Sequence, residues 1–313
     1  MIEPFPIEIS RAVMRIAFFG IVLLACSNAA PAEEMKIPFQ LDDNLVHFST
    51  TLNGHLANAV LDSGTGAVLV SRDAAHRFDL KEGQAIGVAA GGGATTQQLF
   101  PIVIDSLAIG PLHLVQVSAV TMDVGYLSQS AGFPIDVVVG SPVFATGPVL
   151  IDYFARQVTF FGADRAPSCA SVSIPIEIVN NVPVVTVTLK SDTSAPPATL
   201  HLIVDLGTRH FAATIGGKFL DTGAGRALWA RGKPQQVGTG SGGSEQGVAV
   251  NVDRLTIGDH ALSNVQIALT RQVSAFEKGF ADGTLGVPVW KDGTITFDYP
   301  NRNVCLNLRP NHP

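Results

Sequence analysis

The chain repeats itself. Ile37-Pro38-Phe39-Gln40-Leu41 returns as Ile174-Pro175-Ile176-Glu177-Ile178, and Asn44-Leu45 and Thr51-Leu52 return as Asn181-Val182 and Thr188-Leu189. Leu61-Asp62-Ser63-Gly64-Thr65 matches Val204-Asp205-Leu206-Gly207-Thr208. Leu107 to Gly110, preceded by Asp105, matches Leu255 to Gly258, preceded by Asp253. The last block is the closest. Gly140-Ser141-Pro142-Val143-Phe144 pairs with Gly286-Val287-Pro288-Val289-Trp290, and Ile151-Asp152-Tyr153 pairs with Phe297-Asp298-Tyr299. Order is kept and spacing drifts by a few residues, which chance does not produce. Two units follow, 36–162 and 172–310, with the loop 162–169 between them.

Composition favours strands. Of 313 residues, 46% are hydrophobic and 31 are Gly. Apolar β-branched residues with abundant Gly suit strands and tight turns. Asn53-Gly54 between two apolar runs is a two-residue hairpin pattern. In the second unit a longer loop, 190–199, replaces it. The main helical candidate is 68–80, with a weaker counterpart at 211–220. Gly-rich tips at 89–94 and 238–243 read as hairpin ends. Net charge is −6 and no basic patch is present, so nucleic acid is not an expected partner.

The first residues read as an export signal, 1–26. Arg11 and Arg15 precede an apolar run from Ile16 to Ala25, long enough for a signal segment and too short to span a bilayer. Glu3 and Glu8 are unusual in such a leader, so translation from Met14 is the alternative to Met1. Leu23-Leu24-Ala25-Cys26 resembles a lipobox, with Cys26 as the lipidated residue; ordinary cleavage near Ala30-Pro31-Ala32 is the other reading. No later segment reads as transmembrane, so membrane contact is expected only through the signal or a lipid anchor. Either way the chain is expected in the periplasm or envelope. There Cys169 and Cys305 are a candidate disulfide, the alternative being two separate buried thiols.

The chemistry lies in the repeated Asp. Asp62 and Asp205 each end an apolar strand and precede Gly and Thr. One such loop is most simply an Asx-type turn. Two equivalent loops can meet at a shared axis and set their carboxyls face to face. Like charges that close cannot both ionise easily, so the pair holds one proton. One carboxyl can then activate water while the other protonates a substrate carbonyl oxygen. Gly64 and Gly207 allow close backbone approach and leave N–H groups to donate. Thr65 and Thr208 are expected to bond across to the opposite loop, and Ser63 to support the outer oxygen of Asp62.

These loops, with Val137-Val138-Val139-Gly140 and the closing Ile151-Asp152-Tyr153, resemble those of aspartic peptidases. Such a shared-proton pair is that class's established device, so the logic is borrowed from it. Unit length and the two Gly-rich hairpins make the chain look like a fused pair of retropepsin-like domains. The resemblance covers nearly the whole chain beyond the leader. It implies a mostly β, bilobal acid-protease fold of two pseudo-symmetric, barrel-like lobes. It implies Asp62 and Asp205 as the catalytic pair, flaps near 88–98 and 237–247, and hydrolysis of a polypeptide substrate. No metal or organic cofactor is implied, and one chain suffices for a complete site.

Leu206 departs from the family pattern, where Ser or Thr is usual. The second half-site is then less well supported, which leaves an asymmetric pair, a weak enzyme or a decayed one. The first flap also lacks the Tyr usual in pepsin-like relatives. A binding-only envelope protein with the same fold is the alternative function. Leu220-Asp221-Thr222-Gly223 matches the motif better by letters, yet it falls outside the repeated position and lacks a preceding strand, so Asp205 is preferred. Gly238-Thr239-Gly240-Ser241-Gly242-Gly243 fits a dinucleotide pattern but precedes a strand rather than a helix. His210 lies near the site without a metal-binding pattern. Asp152 and Asp298 are expected to be structural.

Overall fold

Most of the chain alternates buried and exposed side chains along extended backbone, and the protein is mostly β. The computed structural model describes residues 34–308 apart from Ala90, Ala94 and Lys278. The expected export segment with Cys26, the alternative cleavage stretch at 30–32, and residues 309–310 of the second unit lie outside the described residues.

The first half runs β1 (Met35–Pro38), β2 (Gln40–Asp42), β3 (Leu45–Leu52), β4 (His55–Leu61), β5 (Val68–Ser71), α1 (Arg72–Arg77), β6 (Gly87–Val88), β7 (Gln98–Ile109), β8 (Leu112–Met122), α2 (Gly125–Ala131), β9 (Val137–Val139), α3 (Ser141–Phe144), β10 (Val149–Asp152) and β11 (Gln157–Phe160). The second runs β12 (Val172–Pro175), β13 (Glu177–Val179), β14 (Val182–Lys190), β15 (Ala198–Val204) and β16 (Ala213–Ile215), then a 3-10 turn (Gly217–Asp221) and α4 (Gly223–Arg231). It continues with β17 (Lys233–Gly240), β18 (Gly243–Ile257), β19 (His260–Thr270), α5 (Ser274–Glu277) and β20 (Gly283–Leu285). A second 3-10 turn (Val287–Val289), β21 (Gly293–Asp298) and β22 (Asn303–Leu308) complete it.

Each half forms an eight-stranded sheet. The orders are β2-β3-β4-β9-β5-β8-β7-β6 and β13-β14-β15-β20-β16-β19-β18-β17, the same order twice. Pairings of β3 with β7 and β14 with β18 close six strands of each sheet into a ring. In both lobes a short central strand, β9 or β20, runs parallel to the strand that ends at the motif Asp and antiparallel to the next one. A third sheet, β1-β11-β10-β21-β22-β12, takes three strands from each half and joins them through β10 and β21. One apolar core runs through both lobes and this sheet, with Phe144, Phe160, Trp290 and Phe297 fully buried.

The Asn53-Gly54 turn forms as its residues dictate. Both have positive φ, 48° and 82°, which matches the twist of the strands it joins. The helical expectations need correction. Val68–Ser71 is strand, and only Arg72–Arg77 of that stretch is helix. Every residue of β5 is buried between β8 and β9, and a run buried on every side carries no periodicity to separate strand from helix. Ser71 starts the helix by accepting from the Ala74 N–H at 3.0 Å. In the second half, 211–220 holds β16 and most of a 3-10 turn, and the true helix, α4, comes later. Gly216-Gly217, with Gly217 at φ 57°, interrupts the earlier stretch; Thr222 caps α4. Cys169 and Cys305 form a disulfide with Cα atoms 5.6 Å apart, pinning the inter-lobe loop to β22. Among the described residues no helix is long and apolar enough to cross a membrane.

Candidate active site

Asp62 is the first residue beyond β4, and Asp205 the first beyond β15. Each backbone N–H donates to the central strand of its own lobe, Asp62 to Val139 O at 3.0 Å and Asp205 to Leu285 O at 2.9 Å. Each carboxyl then meets the same donors. Oδ1 of Asp62 accepts from Gly64 N–H at 2.8 Å and Oδ2 from the Thr65 hydroxyl at 2.8 Å. Oδ1 of Asp205 accepts from Gly207 N–H at 2.7 Å and Oδ2 from the Thr208 hydroxyl at 2.8 Å.

The two loops meet. The carboxyls converge on one point: a Cβ on Gly207 would lie 3.1 Å from Asp205 Oδ1 and 3.3 and 3.4 Å from the two Asp62 oxygens. Space for this exists because Gly64 has no side chain: a Cβ there would lie 2.5 Å from Asp205 Oδ1. Burial holds the Asp205 carboxyl well above the ordinary carboxylate range, and the neighbouring Asp62 charge raises it further. The donors Thr208 and Gly207 pull it down without cancelling these effects. Tyr299, buried and unpartnered at its hydroxyl among the described residues, feels both carboxyls; burial first, then their charges, keep it protonated.

The pair lines a cleft of about 550 Å³ between the lobes. Val60, Leu69, Met122, Ile135 and Val138 give it an apolar wall in the first lobe, and Val182, Ile203 and Phe276 one in the second. The Gly-rich tips close over it and bond to one another. Gly242 N–H donates to Gly92 O at 2.8 Å, while Thr95 N–H and hydroxyl donate to Gly242 O at 3.1 and 3.0 Å. At the rim, buried Arg209 reaches from the second lobe to Asp43 at 2.6 Å and Ser130 at 2.7 Å in the first. Asn44 and Asn181 make reciprocal crossings, to Arg209 O at 2.8 Å and Gly66 O at 3.2 Å.

Comparison with known proteins bears on this geometry. A family model described as "Aspartyl protease" matches residues 48–143, a stretch that contains Asp62 and its supporting loop. Over that stretch the chain is similar to aspartyl proteases. Among solved structures it is similar to a retropepsin-like aspartic protease from Rickettsia conorii, at 14% identity and a TM-score of 0.31, over 41% of this chain and 92% of that one. No curated protein sequence matches the chain.

In this site the supporting residues exchange the roles expected of them. Thr65 and Thr208 do not cross between loops; each bonds its own Asp. Ser63 makes the crossing instead. Its hydroxyl donates to Val204 O at 2.7 Å and accepts from Leu206 N–H at 3.1 Å. The reason is direction: the residue after each Asp points away from the cleft into the junction of the lobes, where Ser63 and Leu206 are both fully buried. Leu206 therefore leaves the oxygens of Asp205 with their donors. What it removes is the reciprocal crossing bond.

Asp221 lies apart from the pair. It ends the 3-10 turn, exposed, in an ion pair with Arg271 at 2.8 Å. His210 pairs with Asp43 at 2.7 Å. Asp152 and Asp298 cap the turns between closing strands, accepting from Phe154 and Ala155 N–H and from Asn301. Sequence reasoning missed Thr284, whose hydroxyl lies 2.6 Å from that of Thr208. It sits where the first lobe has Val138, one residue before the strand end that receives the Asp N–H, and the repeat alignment could have found it. It also missed Arg209, Asp43 and Glu245.

Proposed function

We propose that the chain is an exported aspartic endopeptidase that hydrolyses peptide bonds with water activated between Asp62 and Asp205. The observation that carries this reading is the pair of converging carboxyls, each with its own N–H and hydroxyl donor, beneath a flap-covered cleft. Asp205, raised by burial and by its neighbour, is the member that holds the proton. Asp62 takes a proton from water as the water oxygen attacks the peptide carbonyl carbon. Asp205 gives its proton to the carbonyl oxygen, and a gem-diol forms. On collapse the C–N bond breaks, the nitrogen takes the proton from Asp62, and a gem-diol hydroxyl returns one to Asp205. The apolar leader and the disulfide support export, with lipidation at Cys26 or cleavage near residues 30–32 both open. Leu206, which raised the binding-only alternative, buries its side chain in the lobe junction and leaves both oxygens of Asp205 with their donors.

The test is cleavage of a peptide library across pH by the wild type, Asp62→Asn and Asp205→Asn. Each variant is expected to lose at least about a thousandfold in kcat/KM with its fold retained. The wild-type profile is expected to be bell-shaped, falling on the alkaline side as Asp205 loses its proton. Turnover by Asp62→Asn at the wild-type rate would end the assignment.

A further inference from the structure

The cleft contains a third carboxyl that the proposed chemistry does not use. Glu245 lies on β18 in the second flap and is 9% exposed. It lines the same cleft as Asp62 and Asp205. On this part of β18 the residues alternate: Ser244 and Gln246 face outward, Gly243 and Glu245 inward. The carboxyl is wedged under the flap tips. A Cβ on Gly92 would lie 1.7 Å from its Oε1 and one on Gly238 2.9 Å from its Oε2, so both neighbours are glycines to admit it.

No donor or cation among the described residues reaches this carboxyl. Burial alone pushes it up to about 7. The two basic side chains of the cleft are already engaged, Arg209 with Asp43 and Ser130, and His210 with Asp43. A buried carboxyl without a partner costs stability, and a fold that keeps one in a binding cleft gains from it only when something enters to satisfy it.

We propose that Glu245 is a specificity-determining residue that receives a basic side chain, Lys or Arg, of the polypeptide held under the flaps. This rests on the reading of the cleft as a peptide-binding site. An ammonium or guanidinium entering from the cleft side meets an acceptor with little water around it, and the pair gains strength as both groups lose the rest. A neutral side chain of the same length leaves the carboxyl unpaired.

Binding separates this inference from the proteolytic one. In the full-length chain carrying Asp62→Asn, fluorescence anisotropy at mildly alkaline pH compares peptides that differ only in Lys, acetyl-lysine or norleucine at one scanned position. The Lys peptide is expected to bind about tenfold or more tighter than the other two at one position. Adding Glu245→Gln, nearly isosteric, is expected to bring that ratio close to one, and Glu245→Asp to keep part of it. The Lys, acetyl-lysine and norleucine comparison needs no change at Glu245, so a misfolded variant does not decide the matter. Equal binding of all three peptides at every position overturns the proposal, as does a Lys preference that persists in Glu245→Gln. Absence of cleavage by the wild type with the Lys preference intact would overturn the peptidase reading and leave this one standing.

Discussion

At the residue scale, the asymmetry of the site comes down to Ser63 against Leu206. Ser63 bonds both the carbonyl before Asp205 and the N–H after it, so one hydroxyl ties the second loop to the first. Leu206 offers no such bond in return, and fills the lobe junction at 0% exposure instead. Magnitudes decide which matters more. A neutral hydrogen bond adds about 0.5–1.5 kcal/mol net. Truncating a buried Leu removes about 2–5 kcal/mol through lost burial and the cavity left behind. Leu206→Ser, which introduces the residue type that the resemblance to aspartic peptidases leads one to expect there, is therefore expected to destabilise the protein by about 1–3 kcal/mol. Urea unfolding would show a lower midpoint at unchanged slope. The alkaline limb of the activity profile should stay in place, because the Leu206 side chain is buried in the lobe junction and Asp205 takes its hydrogen bonds from Gly207 and Thr208. A more stable variant would mean that the second crossing bond outweighs packing at this junction.

At the scale of elements, the sequence is most readable where a short segment carries its own instructions. Asn53-Gly54 makes its turn from local conformational preference, and the Asp loops make their hydrogen bonds within three residues. Repetition then showed that two such loops exist. The reading failed at β5, where burial on every side erases the pattern that separates strand from helix, and at Ser63 and Thr65, whose directions depend on how two lobes dock. Arg209 was illegible because its partners lie 79 and 166 residues away. The flaps are an intermediate case: Gly-rich tips are visible in sequence, but their mutual bonding is not. That bonding depends on close approach, since a Cβ on Gly242 would lie 2.0 Å from Thr95 O. Gly242→Ala should part the tips, let water in over the cleft and lower kcat/KM about tenfold or more. The melting temperature should move little, because the tip lies outside the apolar core. Unchanged kinetics would show that the tips need not meet for turnover.

At the scale of the whole molecule, two carboxyls lining one cleft, Asp205 and Glu245, shape how stability responds to pH. Asp205 and Glu245 both have native values raised above their unfolded ones, first through burial and, for Asp205, also through Asp62. The native state therefore holds protons that the unfolded chain releases, and stability falls as pH rises from the unfolded value through the native one. For Glu245 that window runs from 4.5 to about 7. Above it the loss reaches an upper bound of about 3 kcal/mol, since one pKa unit corresponds to ~1.4 kcal/mol. Other groups act in the same range. His260, pushed down by burial, gives the opposite slope as pH rises toward its ordinary value of 6.5. Asp79 is held low by the hydrogen bond and charge of Lys81, and Asp192 by bonds from Ser194, so their contributions are in place above the ordinary carboxylate range. A single melting curve cannot separate these, but a difference can. Glu245→Gln leaves all of them untouched, so subtracting its stability from that of the wild type isolates the buried flap carboxyl. That difference should shift in favour of the variant between acid and mildly alkaline pH, and a basic peptide added to the Asp62→Asn chain should erase the shift. A difference that stays flat across the window would place the Glu245 carboxyl in water, and with it would go the reason for a cation to seek it.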